Sequence, residues 1–343
     1  MNTFLRACWG KPTTHTPIWL MRQAGRYQPE YRALREKVSF LQLCRTPELA
    51  TEVTVRAAEQ LGVDAAIIFA DILLILEPLG VSFSFTAQDG PQIERMQRPD
   101  EVQRVSGAIK ANDSLSYVMQ TVRMVRAALP SDTAVIGFSG SPFTLASYIL
   151  EGGGSKNYLH TKTWMYTYTE AWHELLRKIT LAIGDYLRAQ IEAGAEAVQV
   201  FDSWVGCLSP HDYETYVAPH MRGLFAALPA EVPVIHFGTG NPALYPLMKA
   251  AGGHVLGVDW RDDLVAVWDR VGGASVMGNL DPAYLLASRA GMCAEADRIL
   301  TSVGARPGHV FNLGHGVFPQ VQVDQARALV DFVHERSHVL RSR

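Results

Sequence analysis

A chain of 343 residues, 48% hydrophobic and 19% charged, carries enough apolar material for one large α/β core and shows no bias toward disorder or collagen-like repeats. A formal net charge of −3 excludes a broad basic field for nucleic acid or a membrane surface, so any anion site has to be built locally. The four cysteines, Cys8, Cys44, Cys207 and Cys293, have no CxxC spacing, which argues against a disulfide framework or a structural zinc site and for a reducing, cytoplasmic setting.

The opening MNTFLRACWGKPT has no apolar segment of signal-peptide length, and no export signal is read there. The first strand-like run is PIWLM, ending near Met21. Seven more short, almost uncharged runs follow: DAAIIF ending at Phe69, AVIGF at Phe138, AVQVF at Phe201, VPVIHF at Phe237, HVLGV at Val258, ASVMG at Gly278 and HVFNL at Leu313. Uncharged runs of this kind suit strands buried on both faces. The most apolar stretch, AAIIFADILLILEPLGV, is broken by Asp71 and ended by Glu77 and Pro78, so it is too short and too polar to span a membrane.

Between the runs lie segments such as TPELATEVTVRAAEQLG and WHELLRKITLAIGDYLRAQIEAG, with apolar residues at helical spacing and a closing glycine. Eight β-then-α units predict an α/β fold of the (β/α)8 TIM barrel type, a single domain over residues 1–343 with its cleft at the C-terminal ends of the strands. An open doubly wound sheet competes, but no GxGxxG follows the first run. Two connections are long. GVSFSFTAQDGPQI alternates like a hairpin, and SPFTLASYILEGGGSKNY reads as a short helix and a glycine-rich loop.

Directly after the runs stand Arg22, Asp71, Ser139, Asp202 with Ser203, His236, Asp259, Asn279 with Asp281, and His315. In a barrel these positions converge on one mouth. Structural duties compete with that reading: Asp202 or Asp259 can cap the next helix, Asn279 and Asp281 can form a turn with Pro282, and His236 suits a core position. EGGGS can be a loop that needs only conformational freedom. Asp71 is harder to explain structurally, because a carboxylate between AAIIFA and ILLIL is costly unless cations or N–H donors face it. Arg22 and Arg26, four apart around Gln23, Ala24 and Gly25, suit planar carboxylates bound bidentately. The implied ligand has carboxylates outside and N–H groups inside, as in a tetrapyrrole with acidic side arms.

The segments PIWLMRQAGRYQPEYR, FADILLILEPLG, GFSGSPFTLASYILEGGGS, FDSWVG and FNLGHGV, spread over almost the whole chain, closely resemble the uroporphyrinogen decarboxylase family. The resemblance implies a distorted (β/α)8 barrel, a homodimer with facing clefts, and decarboxylation of the four acetates of uroporphyrinogen III to give coproporphyrinogen III without metal or organic cofactor. A pyrrole protonated at a ring carbon is itself the electron sink. By motif, Asp71 would accept the pyrrole N–H groups and, with Arg22, carry catalysis. Arg22 and Arg26 would hold carboxylates, Gln23, Ala24 and Gly25 would line the same turn, and Tyr148, Ser203 and His315 would complete the substrate contacts. Arg22 is the family's usual candidate for the proton donor, although an ordinary guanidinium is a poor acid near neutrality, and His315 has the better intrinsic pKa. Related methyltransferases bind zinc through a His-x-Cys pair after the fifth strand. Here His236, Phe237 and Gly238 stand there, without the thiolate. A zinc-dependent corrinoid or thiol methyltransferase and a non-catalytic tetrapyrrole carrier are the competing functions.

Overall fold

A computed structural model describes residues 1–86, 90–273 and 275–342. Seven of the eight predicted runs form one parallel sheet in the order β1 (Ala65–Ile67), β4 (Ala134–Gly140), β5 (Ala197–Asp202), β6 (Val234–Gly238), β7 (Val255–Gly257), β8 (Ser275–Met277) and β9 (His309–Val310). Neighbours pair in parallel throughout, for example Val198 with Val234 and Val255 with Ser275. The predicted hairpin is β2 (Phe83–Thr86) against β3 (Gly90–Ile93), antiparallel, with Phe83 opposite Ile93. Its turn, residues 87–89, lies outside the described residues, as do Ala274 at the head of the run ASVMG and the C-terminal Arg343.

The first run, PIWLM, departs from the expectation. It makes only an isolated parallel bridge, Ile18 to Phe311. The reason lies in where its backbone groups go. The Ile18 N–H donates to the Asp64 carboxylate at 2.7 Å, the Leu20 N–H to the Gln23 amide oxygen and the Met21 N–H to the Asn312 amide oxygen. Side chains thus satisfy donors that a regular ladder would pair with backbone. Three backbone bonds still place residues 17–19 beside the ends of β9 and β1: Phe311 N–H to the Pro17 carbonyl at 2.8 Å, Trp19 N–H to the Phe311 carbonyl at 3.4 Å and Asp64 N–H to the Ile18 carbonyl at 2.9 Å. HVFNL is similarly trimmed to His309–Val310, with a further bridge between Leu280 and Leu313.

Helices cover the sheet as the spacing predicts. Thr169–Glu192 buries Leu175, Ile179, Ile183 and Leu187, one stripe at four-residue spacing. Each such side chain withdrawn from water contributes about 1.5–3 kcal/mol before entropy is counted. Gln190 from the same helix clamps β4, bonding both the N–H and the carbonyl of Phe138 at 2.8 and 3.0 Å. Pro47–Leu61 ends at Gly62, whose φ of +67° lets its N–H reach the Ala58 carbonyl. Among the described residues no helix is long and apolar enough to cross a membrane.

Candidate active site

The turn after the first run is held from beneath. The Gln23 amide is buried, accepting from Leu20 N–H and donating to the Ala65 carbonyl, while the Tyr27 hydroxyl donates to the Gln23 carbonyl at 2.6 Å. Gln23 therefore braces the turn rather than presenting its side chain at the surface. The Gly25 N–H bonds the Gln28 amide, and a Cβ on Gly25 would stand 3.2 Å from the Arg22 carbonyl. This bracing holds Arg22 at φ +62°, a left-handed conformation that costs a non-glycine residue about 1 kcal/mol or more. Arg22 and Arg26 are both exposed, and among the described residues neither pairs with a carboxylate.

The Arg22 side chain is seated by the loop Gly314–Gly316. A Cβ on Gly316 would overlap its Cδ and stand 2.7 Å from its Cγ, and one on Gly314 would overlap the Trp260 backbone. The LGHGV motif thus needs its glycines because two other segments pass directly over them.

Asp71 follows β1 and is half-buried, with Oδ1 accepting the Leu73 N–H at 2.8 Å. Among the described residues Oδ2 accepts no hydrogen bond. Burial pushes its pKa up to about 6, against the lowering effects of the Leu73 amide and the Arg22 charge. Tyr148, on the helix Pro142–Glu151, shares this field: burial and the Asp71 charge push its hydroxyl up to about 12, and Arg22 opposes them. The Trp204 ring packs on Tyr148 at 3.9 Å between centroids, and Ser203 precedes Trp204 at the end of β5. His315 is pushed down to about 4 by burial and by the charges of Arg22 and Arg261, so it is a neutral imidazole at pH 7. Its better intrinsic pKa does not make it a store of acidic protons there. Arg22, Asp71, Tyr148 and His315 are therefore linked electrostatically.

The other strand-end residues are held by structural partners, although the Asp259 charge also acts on His315 and opposes its lowering. Side-chain parity on β5 places Phe201 edge-on between Phe138 and Phe237, at 5.6 and 6.0 Å, while Asp202 points the other way. Asp202 is fully buried, accepting the Ser141 hydroxyl at 2.5 Å and lying 3.4 Å from His236 Nε2. Asp202 does not cap the α-helix that follows it: Ser209 caps Pro210–Tyr216, and Ser141, which Asp202 accepts from, caps Pro142–Glu151. His236 sits against the Phe225 ring, a core position facing the helix layer, and Ser139 is fully buried. Strand parity corrects the expectation that Ser139 and Asp202 reach the mouth, and it gives His236 the core position that its sequence setting suits. Asp281 caps a short turn of helix at Pro282–Leu286, and the Asn279 amide bonds the carbonyls of Asp259 and Asp262. Asp259 anchors Gly240 N–H and the Arg261 guanidinium, at 2.8 and 2.6 Å.

Arg261 and Trp260 are the neighbours the sequence reading missed. The guanidinium stacks on Trp260 at 3.7 Å, and the Trp260 ring meets His315 edge-on at 6.0 Å. The signal was present: an arginine just past a strand end, as at Arg22.

The family model described as Uroporphyrinogen decarboxylase (URO-D) matches residues 1–336. The chain belongs to the uroporphyrinogen decarboxylase family. Among its relatives, the uroporphyrinogen decarboxylase of Carboxydothermus hydrogenoformans is 51% identical over 98% of this chain and 97% of its own length. That of Sorangium cellulosum is 50% identical over 97% and 96%. A methyltransferase from Methanosarcina mazei shares the fold, with a TM-score of 0.83 at 19% identity over 97% of both chains. A B12-independent methionine synthase from Shewanella sp. W3-18-1 is more distant, with a TM-score of 0.57 at 10% identity over 97% and 98%. In this family member, the motif residues expected to act together and the electrostatic cluster coincide at Arg22, Asp71, Tyr148 and His315.

Proposed function

We propose that this chain is a carboxy-lyase that converts the four acetate side chains of uroporphyrinogen III to methyls, releasing carbon dioxide and coproporphyrinogen III. The observation that carries the assignment to this site is Asp71, a desolvated carboxylate in the field of Arg22, where among the described residues Oδ2 accepts no hydrogen bond and Arg22 pairs with no carboxylate. A carboxylate so placed accepts pyrrole N–H groups and gains most when the pyrrole becomes cationic. Protonation of a ring carbon creates that cation. The bond to the carboxylate then breaks, its electrons enter the ring, carbon dioxide leaves, and the exocyclic carbon takes up a proton as the ring carbon loses its own. Asp71 and Arg22 are the catalytic pair in this reading, with Arg22 or water held beside it delivering the proton. Arg26 binds outer carboxylates, Gln23 holds the turn, Ala24 and Gly25 let the ligand approach the backbone, and Tyr148, Ser203 and His315 contact the substrate. Gly238 offers no thiolate and His236 faces the helix layer, so the zinc-methyltransferase alternative lacks its ligand pair.

The wider reading has the Pro17–Met21 segment closing the sheet as an eighth stave, in one barrel domain over residues 1–343. Its support is the backbone bonds of Pro17, Ile18 and Trp19 to Phe311 and Asp64, which adjoin the two edge strands. A homodimer with facing clefts is supported by Leu159 and Tyr166, exposed on the helix Leu159–Thr167, and by Tyr168, exposed at its end; the residue before this helix, Tyr158, packs against Trp204. Four free cysteines support a cytoplasmic setting.

Anaerobic incubation of the purified protein with chemically reduced uroporphyrinogen III tests the function. Stepwise appearance of seven-, six-, five- and four-carboxyl products is expected, and tight binding without conversion would favour the carrier instead. Arg26→Ala is expected to raise KM about tenfold with little change in kcat; unchanged substrate affinity would remove Arg26 from the site. The profile of kcat/KM should fall as pH drops through about 6, where Asp71 gains its proton, while His315, neutral above about 4, adds no limb there. An acid limb that persists in Asp71→Asn would assign that titration to another group.

A further inference from the structure

At the N-terminal ends of the strands, away from the arginine turn, three side chains distant in sequence meet. His15 precedes the first run, Asp64 stands directly before β1, and His334 lies on the C-terminal helix Val323–Arg341. His15 Nε2 is 3.0 Å from Asp64 Oδ1, and His334 Nε2 is 2.7 Å from Asp64 Oδ2. The two rings meet edge-on at 4.9 Å, and the three ligand atoms lie within 4.8 Å of one another.

We propose that His15, Asp64 and His334 bind a divalent cation of the zinc class that fastens the N-terminal segment and the C-terminal helix to the start of β1. Two imidazoles and one carboxylate form the donor set that favours such a borderline ion over magnesium or calcium, which prefer all-oxygen shells. In a tetrahedral site with bonds of about 2.0 Å, ligand atoms stand about 3.3 Å apart; the two imidazole–carboxylate contacts here are a few tenths shorter and the three ligand atoms all lie within 4.8 Å, so small side-chain shifts bring them to that spacing. Asp64 is fixed by its backbone, which accepts from Ala134 N–H and donates to the Ile18 carbonyl. Its Oδ2 can keep the Ile18 N–H while Oδ1 turns to the ion. His15 Nδ1 lies 3.3 Å from the Thr14 hydroxyl, a partner of the kind that orients a metal-bound imidazole. The side chains retain 25%, 12% and 30% exposure, which leaves an open side for a water as fourth ligand.

The test is calorimetric titration of chelator-stripped protein with Zn2+, with Co2+ absorption as a second probe. One equivalent of Zn2+ with micromolar or tighter Kd is expected, together with four-coordinate cobalt d–d bands and no thiolate charge-transfer band. His334→Gln and His15→Gln each retain a hydrogen-bonding group and are expected to weaken zinc at least 100-fold. Absence of binding to the wild type, a thiolate band placing cobalt on Cys207 or Cys293, or unchanged affinity in both variants would overturn the site. The cobalt spectrum of the wild type decides even if a variant folds poorly. None of these readouts depends on the reaction at the other end of the strands.

Discussion

Asp71→Asn is expected to lower kcat by on the order of 10²–10³-fold, the scale of losing one preorganised electrostatic contact to a developing charge, while Ser203→Ala costs less than about tenfold. Comparable losses in the two would end the assignment of Asp71 as the cation-stabilising group. The same substitution is expected to raise the melting temperature at pH 8. Burial lifts the carboxyl from 3.8 to about 6, so the ionised form opposes folding above pH 6, and the penalty disappears as pH falls toward 3.8. A rise of about two units corresponds to at most roughly 3 kcal/mol. Asparagine removes the charge and retains an oxygen for the Leu73 N–H. The gain should shrink on acidification; a variant that melts lower at pH 8 would show that Asp71 is not held at a cost. Such an exchange of stability for activity marks a functional group more specifically than loss of activity alone.

Gly316→Ala is expected to reduce kcat/KM by about 10–100-fold with little change in melting temperature. The added methyl meets the Arg22 stem at Cγ and Cδ, so the guanidinium has to move even though the residue itself remains. Gly316 has no positive φ to forbid alanine, which confines the disturbance to Arg22 and its contacts. Arg22→Ala provides the reference. If Gly316→Ala retains full activity while Arg22→Ala is inactive, then the seat of the side chain is unimportant and its chemistry alone matters. If both retain activity, Arg22 has no role in catalysis.

A cation at His15, Asp64 and His334 would change how zinc analysis bears on function. Zinc found in the purified protein would then be no argument for methyl transfer. The discriminating result is whether turnover survives chelation, since the proposed ion lies away from Asp71.

Local pattern made much of the molecule legible in advance. Uncharged β-branched runs separated by amphipathic helices announced a parallel α/β sheet, because strands covered on both faces cannot carry charge. The placement of Asp71 inside an apolar stretch announced a desolvated carboxylate before any neighbour was known. Strand boundaries were less legible, and PIWLM illustrates why: its composition suits a strand, but its donors find Asp64, Gln23 and Asn312 instead of a ladder. Packing decided the rest. Phe201 and Asp202 are adjacent in sequence, yet one residue of β parity turns Asp202 toward Ser141 and sets Phe201 between Phe138 and Phe237. Arg261 approaches His315 because β7 and β9 lie one strand apart in the sheet, and His15 approaches His334 because the fold carries the two ends of the sequence together. Periodicity and charge are properties of a few consecutive residues and can be read from them. Which distant side chains meet depends on register and curvature, which are set by the fit of the whole core.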